Sequence, residues 1–322
     1  MSRMAPIGAA LDRLRPAPYR GDVTAAGAIP LALAAIVIEL RMTQWSVGVR
    51  LIVVALIVGL ILTMGWLTPL EGQTPSQYHS MLLIAGLLPL LLALQLLAEA
   101  LGAQRPPGSG GQMWTFGVEA AVAGAAARRA NSAACTLIAA LSGAVAVEAF
   151  VAWVFDPQGA GTFRVFLFLL TLALAAGAVR LRDGHRRHAV ALVNAAGLLT
   201  LVLALSYVIA LSITVVPALG TRHGAAPFGW KLFILAMGFG LIAYAGADRE
   251  PGPAYIGVVL LLAFALLVGA PVANGASLVG WPLFLLALGA VGLFIGLRPS
   301  TPAPPPPPAD VAPTIPLREN EA

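Results

Sequence analysis

Residues 47–68 read VGVRLIVVALIVGLILTMGWLT, and residues 79–101 read HSMLLIAGLLPLLLALQLLAEAL. Each stretch stays apolar for at least the roughly 20 residues a helix needs to cross the hydrocarbon layer of a bilayer. Neither alternates with period two, as a membrane-barrel strand does over about ten residues. Both therefore predict transmembrane helices. In lipid a helix satisfies its own backbone hydrogen bonds, so the many Val, Ile and Gly residues do not count against the assignment.

Working outward, the same pattern recurs at approximately 132–155, 163–180, 189–216, 229–247, 254–271 and 278–297. These eight strong spans predict an all-α, polytopic integral membrane protein whose bundle occupies residues 25–298. Two segments are ambiguous: 25–40 (AAGAIPLALAAIVIEL), interrupted by Pro30, and 113–127 (MWTFGVEAAVAGAAA), alanine-rich and carrying Glu119. Each reads as a short span, a re-entrant piece or an interfacial helix. Counting both gives ten spans, the alternative architecture.

Composition agrees with lipid as the solvent. The 322-residue chain is 59% hydrophobic and 10% charged, whereas a soluble domain carries about a quarter charged residues. A formal charge of +5 would point a soluble protein towards nucleic acid; here it predicts basic cytoplasmic loops and no nucleic-acid partner. The single cysteine, Cys135, excludes an internal disulfide and a cysteine-built metal site. Lys231 is the only lysine among many arginines, a bias of GC-rich bacterial genomes, so a bacterial cytoplasmic membrane is the expected location.

The flanks are polar. Residues 1–24 form a basic segment with Arg3, Arg13, Arg15 and Arg20, and no small-residue cleavage site follows Glu39, so a cleaved signal peptide is not expected. Residues 299–322 form a proline-rich tail, expected to be disordered and to act as a stiff spacer or as a ligand for a cytoplasmic partner.

Loop charges set the orientation. With eight spans and both termini cytoplasmic, 16 of the 19 basic residues fall inside, leaving Arg164, Arg222 and Lys231 outside. With ten spans the division is 13 and 6, because Arg41, Arg50 and Arg105 cross over. In the eight-span arrangement Trp66, Trp153, Trp230 and Trp281 all mark outer helix ends. A weak repeat links spans opening at Phe163, Trp230 and Trp281, each with a phenylalanine three positions on, although aromatic belts alone give that likeness.

Candidate polar sites are few. Glu148 lies inside 132–155 behind Ala140 and Ala144, on a small-residue face that predicts packing against protein. Arg164 or Lys231 could pair with it; without a cation it is expected to be neutral. Glu99 and Arg50 sit near helix ends and are expected to snorkel to water. Thr200, Tyr207 and Thr214, at seven-residue spacing, share a stripe of 189–216 that lines a hydrated path or, more commonly for threonine, bonds back to its own helix. The loop Arg180 to His188 (RLRDGHRRH) gathers Arg180, Arg182, His185, Arg186, Arg187 and His188, suited to a phosphate or anionic headgroup and equally to fixing topology. His185, His188 and Asp183 are weak as a metal set, so no metal site is expected. Phosphate-loop, zinc-protease and nucleophile-elbow motifs are absent, and no cofactor is expected.

Three functions remain open on sequence alone. A non-enzymatic accessory or assembly subunit fits the sparse polar content, with membrane lipid and other membrane proteins as partners. A small-solute or lipid transporter would use Glu148 and the hydroxyl stripe. A membrane enzyme acting on a lipid-linked substrate would use the basic loop.

Overall fold

The computed structural model describes residues 21–69, 75–157, 159–208 and 226–269. Among them are nine helices and no strand: α1 (Gly21–Arg41), α2 (Val47–Leu67), α3 (Gln77–Ala100), α4 (Ser109–Ala130), α5 (Ala133–Phe155), α6 (Ala160–Leu181), α7 (Arg186–Val208), α8 (Phe228–Asp248) and α9 (Pro251–Gly269). All but α4 are long and apolar enough to cross a membrane, which makes eight candidate spans among the described residues. The chain is a multi-pass helical protein of membrane type. Membership of the eight differs from the sequence reading: 25–40 belongs to a full 21-residue helix, while 278–297, the tail 299–322, the first 20 residues and Thr214 lie outside the described residues.

Buried positions follow helical stripes. On α1 the stripe is Ala25, Ala28, Ala32, Ala35 and Glu39, and on α2 it is Arg50, Val54, Val58, Ile61 and Gly65. Spacings of three and four keep each set on one face. The alanines of α1 pack on Ile61, Tyr78, Leu82 and Ala85 of α2 and α3, since small side chains let helices approach closely. Gly21 shows how closely: a Cβ there would stand 2.7 Å from the Tyr78 ring.

A hairpin of α4 and α5 occupies the middle of the chain. Asn131 ends α4 in the left-handed conformation (φ 50°, ψ 38°), which asparagine tolerates better than most residues. Ser132 then caps α5, its hydroxyl accepting from the Cys135 amide. Ala123, Ala126, Ala127 and Ala130 of α4 pack with Cys135 and with Leu83 and Leu87 of α3. On its other side α5 joins α6 and α7 through Ala144, Leu167, Leu199 and Leu203. Phe168 of α6 meets Trp230 and Phe233 of α8 edge to face. At the α8–α9 crossing, a Cβ on Gly257 would lie 2.7 Å from the Gly238 carbonyl. Large apolar side chains such as Leu33, Leu56, Leu169 and Leu262 point outward, the arrangement expected of helices solvated by lipid.

Successive helices run in alternating directions. Glu39, Arg50, Glu99 and Arg105 meet at one end of the bundle. Arg129 of α4 reaches the end of α2 at Trp66, and Asn131 and Thr136 meet His188 of α7, at the other end. Helix α4, 22 residues or about 33 Å long, runs the full distance between them. Its start packs against Trp153 at the end of α5.

This overturns part of the charge reading. Arg41, Arg50 and Arg105 lie at the Glu39 end, opposite Arg128 and Arg129, so the basic residues of the eight-span arrangement do not share one end. Trp66 and Trp153 likewise mark opposite ends. The physical reason is that 25–40 and 113–127 both belong to full-length helices, which adds two crossings of the bundle. Among the described residues the distribution is that of the ten-span alternative.

Candidate functional site

Among the described residues, polar constellations are built into the helices at the Glu39 end, within the bundle and at the His188 end. At the first, Glu39 accepts from Arg50 Nη1 at 3.1 Å and from Arg105 Nη2 at 2.6 Å. Glu99 faces the same two guanidinium groups at 3.5 and 3.6 Å. Two acids and two bases therefore close a neutral ring across α1, α2, α3 and the turn after α3. The Arg50 side chain is only 4% exposed, so it does not snorkel to water as its sequence position suggested. It lies on the inward stripe of α2, and burial is tolerable because two carboxylates answer its charge.

The second constellation is Glu119 of α4, which accepts from Ser142 of α5 at 2.9 Å, both side chains being buried. It fastens the middle of the hairpin.

Glu148, on α5, is different. It is buried at 4% exposure, as its alanine-lined face predicts, yet neither carboxyl oxygen has a hydrogen-bond partner. The expected cations are elsewhere. Arg164 stacks 3.7 Å above the Tyr207 ring and donates to Ser206 Oγ and to the Ser206 carbonyl at 3.1 and 2.9 Å. Lys231 makes no ion pair with it among the described contacts. Thr200 is buried and donates to the Ala196 carbonyl at 2.9 Å. The hydroxyl stripe is thus not a polar path at these positions: Thr200 serves its own helix, and Tyr207 serves Arg164.

The His188 end carries the basic loop, and the structure divides its six candidate residues. Arg182 donates to Asp248 Oδ1 at 2.7 Å, and Arg186 donates to the Asp248 backbone carbonyl, tying the α6–α7 turn to the end of α8. Arg180 and Arg187 are exposed. His185 and His188 instead line an open cleft of about 760 Å³ with Arg128, Asn131 and Thr136. His188 is held at both ring nitrogens, by Asn131 Oδ1 at 2.7 Å and by the Thr136 hydroxyl. Thr136 also donates to the Ser132 carbonyl at 3.2 Å. Among the described residues no group of three or more His, Cys, Asp or Glu side chains is placed to hold a metal.

Sequence reasoning missed the ion ring, Glu119–Ser142, and the roles of Arg128, Asn131 and Thr136. Glu39, Arg50 and Glu119 all fall on the three-and-four stripes of small or apolar residues, which was a usable signal for inward-pointing charge. The partners of His188 lie 52 and 57 residues away, with no local pattern to mark them. No protein-family model matches this sequence, and a search of curated proteins found no match.

Proposed function

We propose that this chain is a non-enzymatic subunit of a bacterial cytoplasmic-membrane assembly, with its His188 end in the cytoplasm. The observation that carries the reading is how the buried polar side chains are used. The ion ring braces α1 to α3, Glu119 and Ser142 brace α4 to α5, and Thr171, Thr200 and Ser206 bond to carbonyls of their own helices. Polar groups spent on holding helices together favour a scaffold over a reaction centre.

The orientation rests on charge. Among the described residues, Arg128, Arg129, Arg180, Arg182, Arg186, Arg187 and Arg249 gather at the His188 end. The Glu39 end has Arg41, Arg50, Arg105, Arg164 and Lys231, two of them in the neutral ring. Basic residues are retained on the cytoplasmic side.

Two measurements test this. On a native gel after mild extraction, the chain should travel with a second membrane polypeptide in constant ratio. A band holding only this chain would overturn the subunit reading. In a Cys135→Ser background, a membrane-impermeant maleimide on intact cells should label Gln104→Cys and spare Asp183→Cys; the reverse pattern would invert the orientation.

One observation favours a second reading. A carboxylate can accept several hydrogen bonds, and Glu148 accepts none, as an exchangeable proton or cation site in a small-solute or lipid transporter would require. Vesicles holding the wild-type chain should then dissipate an imposed proton gradient faster than vesicles holding Glu148→Gln. Equal rates would sink this reading.

A further inference from the structure

We infer that the cleft at the His188 end binds the phosphate group of an anionic membrane lipid, with the lipid's chain lying along its inner wall. The two halves of the cleft have different chemistry. Its mouth is formed by Arg128 from the last turn of α4, His185 from the α6–α7 turn and His188 from the first turn of α7, beside Asn131 and Thr136. Its inner wall includes Gly124 of α4 and Ala139 of α5, each six residues in from the hairpin link, or about 9 Å by helical rise. Nothing stands within 4 Å of where a Cβ on Gly124 would be, so this wall is open and apolar.

Charge selects the headgroup. Among the described residues no Asp or Glu lines the cleft. Two acids lie near it: Asp183, exposed beside Gly184 in the α6–α7 turn, and Asp248, whose Oδ1 is engaged by Arg182 and whose carbonyl is engaged by Arg186. Arg128 has no acidic partner among the described contacts. A guanidinium at the membrane boundary, free of carboxylates, is suited to a phosphate oxygen pair, which it grips with parallel N–H donors. Arg128 would supply that grip, His185 a second donor, and the doubly held His188 a fixed floor. Electrostatic attraction alone would accept free inorganic phosphate as readily; the apolar wall is what commits the site to an amphiphile.

The site differs from the scaffold role proposed above and does not depend on it. Its test is titration of short-chain phosphatidic acid into the full chain in detergent, with short-chain phosphatidylcholine and inorganic phosphate as parallel probes. Phosphatidic acid should bind saturably, and Arg128→Ala or His185→Ala should weaken it roughly tenfold each. Arg187→Ala, which removes the same charge from an exposed position outside the cleft, should leave the affinity unchanged. Gly124→Leu should weaken phosphatidic acid while sparing any binding of inorganic phosphate. Equal weakening by Arg187→Ala and Arg128→Ala would reduce the effect to surface charge and overturn the site. Inorganic phosphate binding as tightly as phosphatidic acid would overturn the lipid assignment, and so would phosphatidylcholine binding equally well.

Discussion

The two ends of this bundle handle arginine in opposite ways. At the Glu39 end, Arg50 and Arg105 are cancelled by Glu39 and Glu99, and the ring is drawn largely out of water. At the His188 end Arg182 and Arg186 are engaged by Asp248 and Arg129 by the Trp66 carbonyl, while Arg128, Arg180 and Arg187 keep their charge at an accessible surface. A guanidinium can be enclosed when carboxylates share the enclosure, because removing one partner strands the rest in a poor solvent. Where carboxylates are missing, the guanidinium stays at the boundary and keeps its capacity to bind an anion. One end closes the fold and the other leaves guanidinium groups at its surface.

The largest effect that could break this contrast lies in the ring. Glu39→Ala should destabilise the detergent-solubilised chain by about 3 kcal/mol, read as a fall in the unfolding midpoint. Pairing Glu39→Gln with Arg50→Met should recover most of that loss, since neither charge is then stranded. If Glu39→Ala unfolds at the wild-type midpoint, the ring is an accident of proximity and the contrast disappears. A smaller effect is expected across the bundle. His188→Ala removes two hydrogen bonds beside a cleft that admits water, so about 1 kcal/mol is expected in the same measurement. The smallest belongs to Arg129, exposed above Trp66 with its guanidinium 5.3 Å from the ring. Arg129→Ala should cost about 0.5 kcal/mol, and a loss as large as that of Glu39→Ala would show that the His188 end is as closed as the other.

Much of the helical architecture was legible because lipid imposes a length on apolar runs that water does not. The stretches at 47–68 and 79–101 needed nothing else. Residues 25–40 were harder because Pro30 interrupts them, yet the alanines at 25, 28, 32 and 35 form one face that α2 and α3 cover. Residues 113–127 were hardest, for α4 is the one described helix whose apolar content falls short of a span. Its alanines and glycines are covered in part by α5 rather than by lipid, so hydropathy undervalues it. Leaving these two ambiguous segments out of the span count was enough to group Arg41, Arg50 and Arg105 with Arg128 and Arg129, which lie at the opposite end of the bundle. Within the sites, burial of Glu148 followed from its alanine-lined face, but its lack of any partner did not. The cleft was half visible as a basic loop. Its other half, Arg128, Asn131 and Thr136, comes from the α4–α5 hairpin, which only tertiary packing brings beside His188.

The link at Asn131 and Ser132 has a consequence for how the chain enters the bilayer. A ribosome delivers α4 before α5, and α4 carries Glu119 with too little greasy surface to remain in a bilayer unaided. The residue that answers Glu119 is Ser142, which emerges only after the turn has been made. Glu119 therefore has no partner until α5 has followed α4, and the two helices depend on each other as a hairpin.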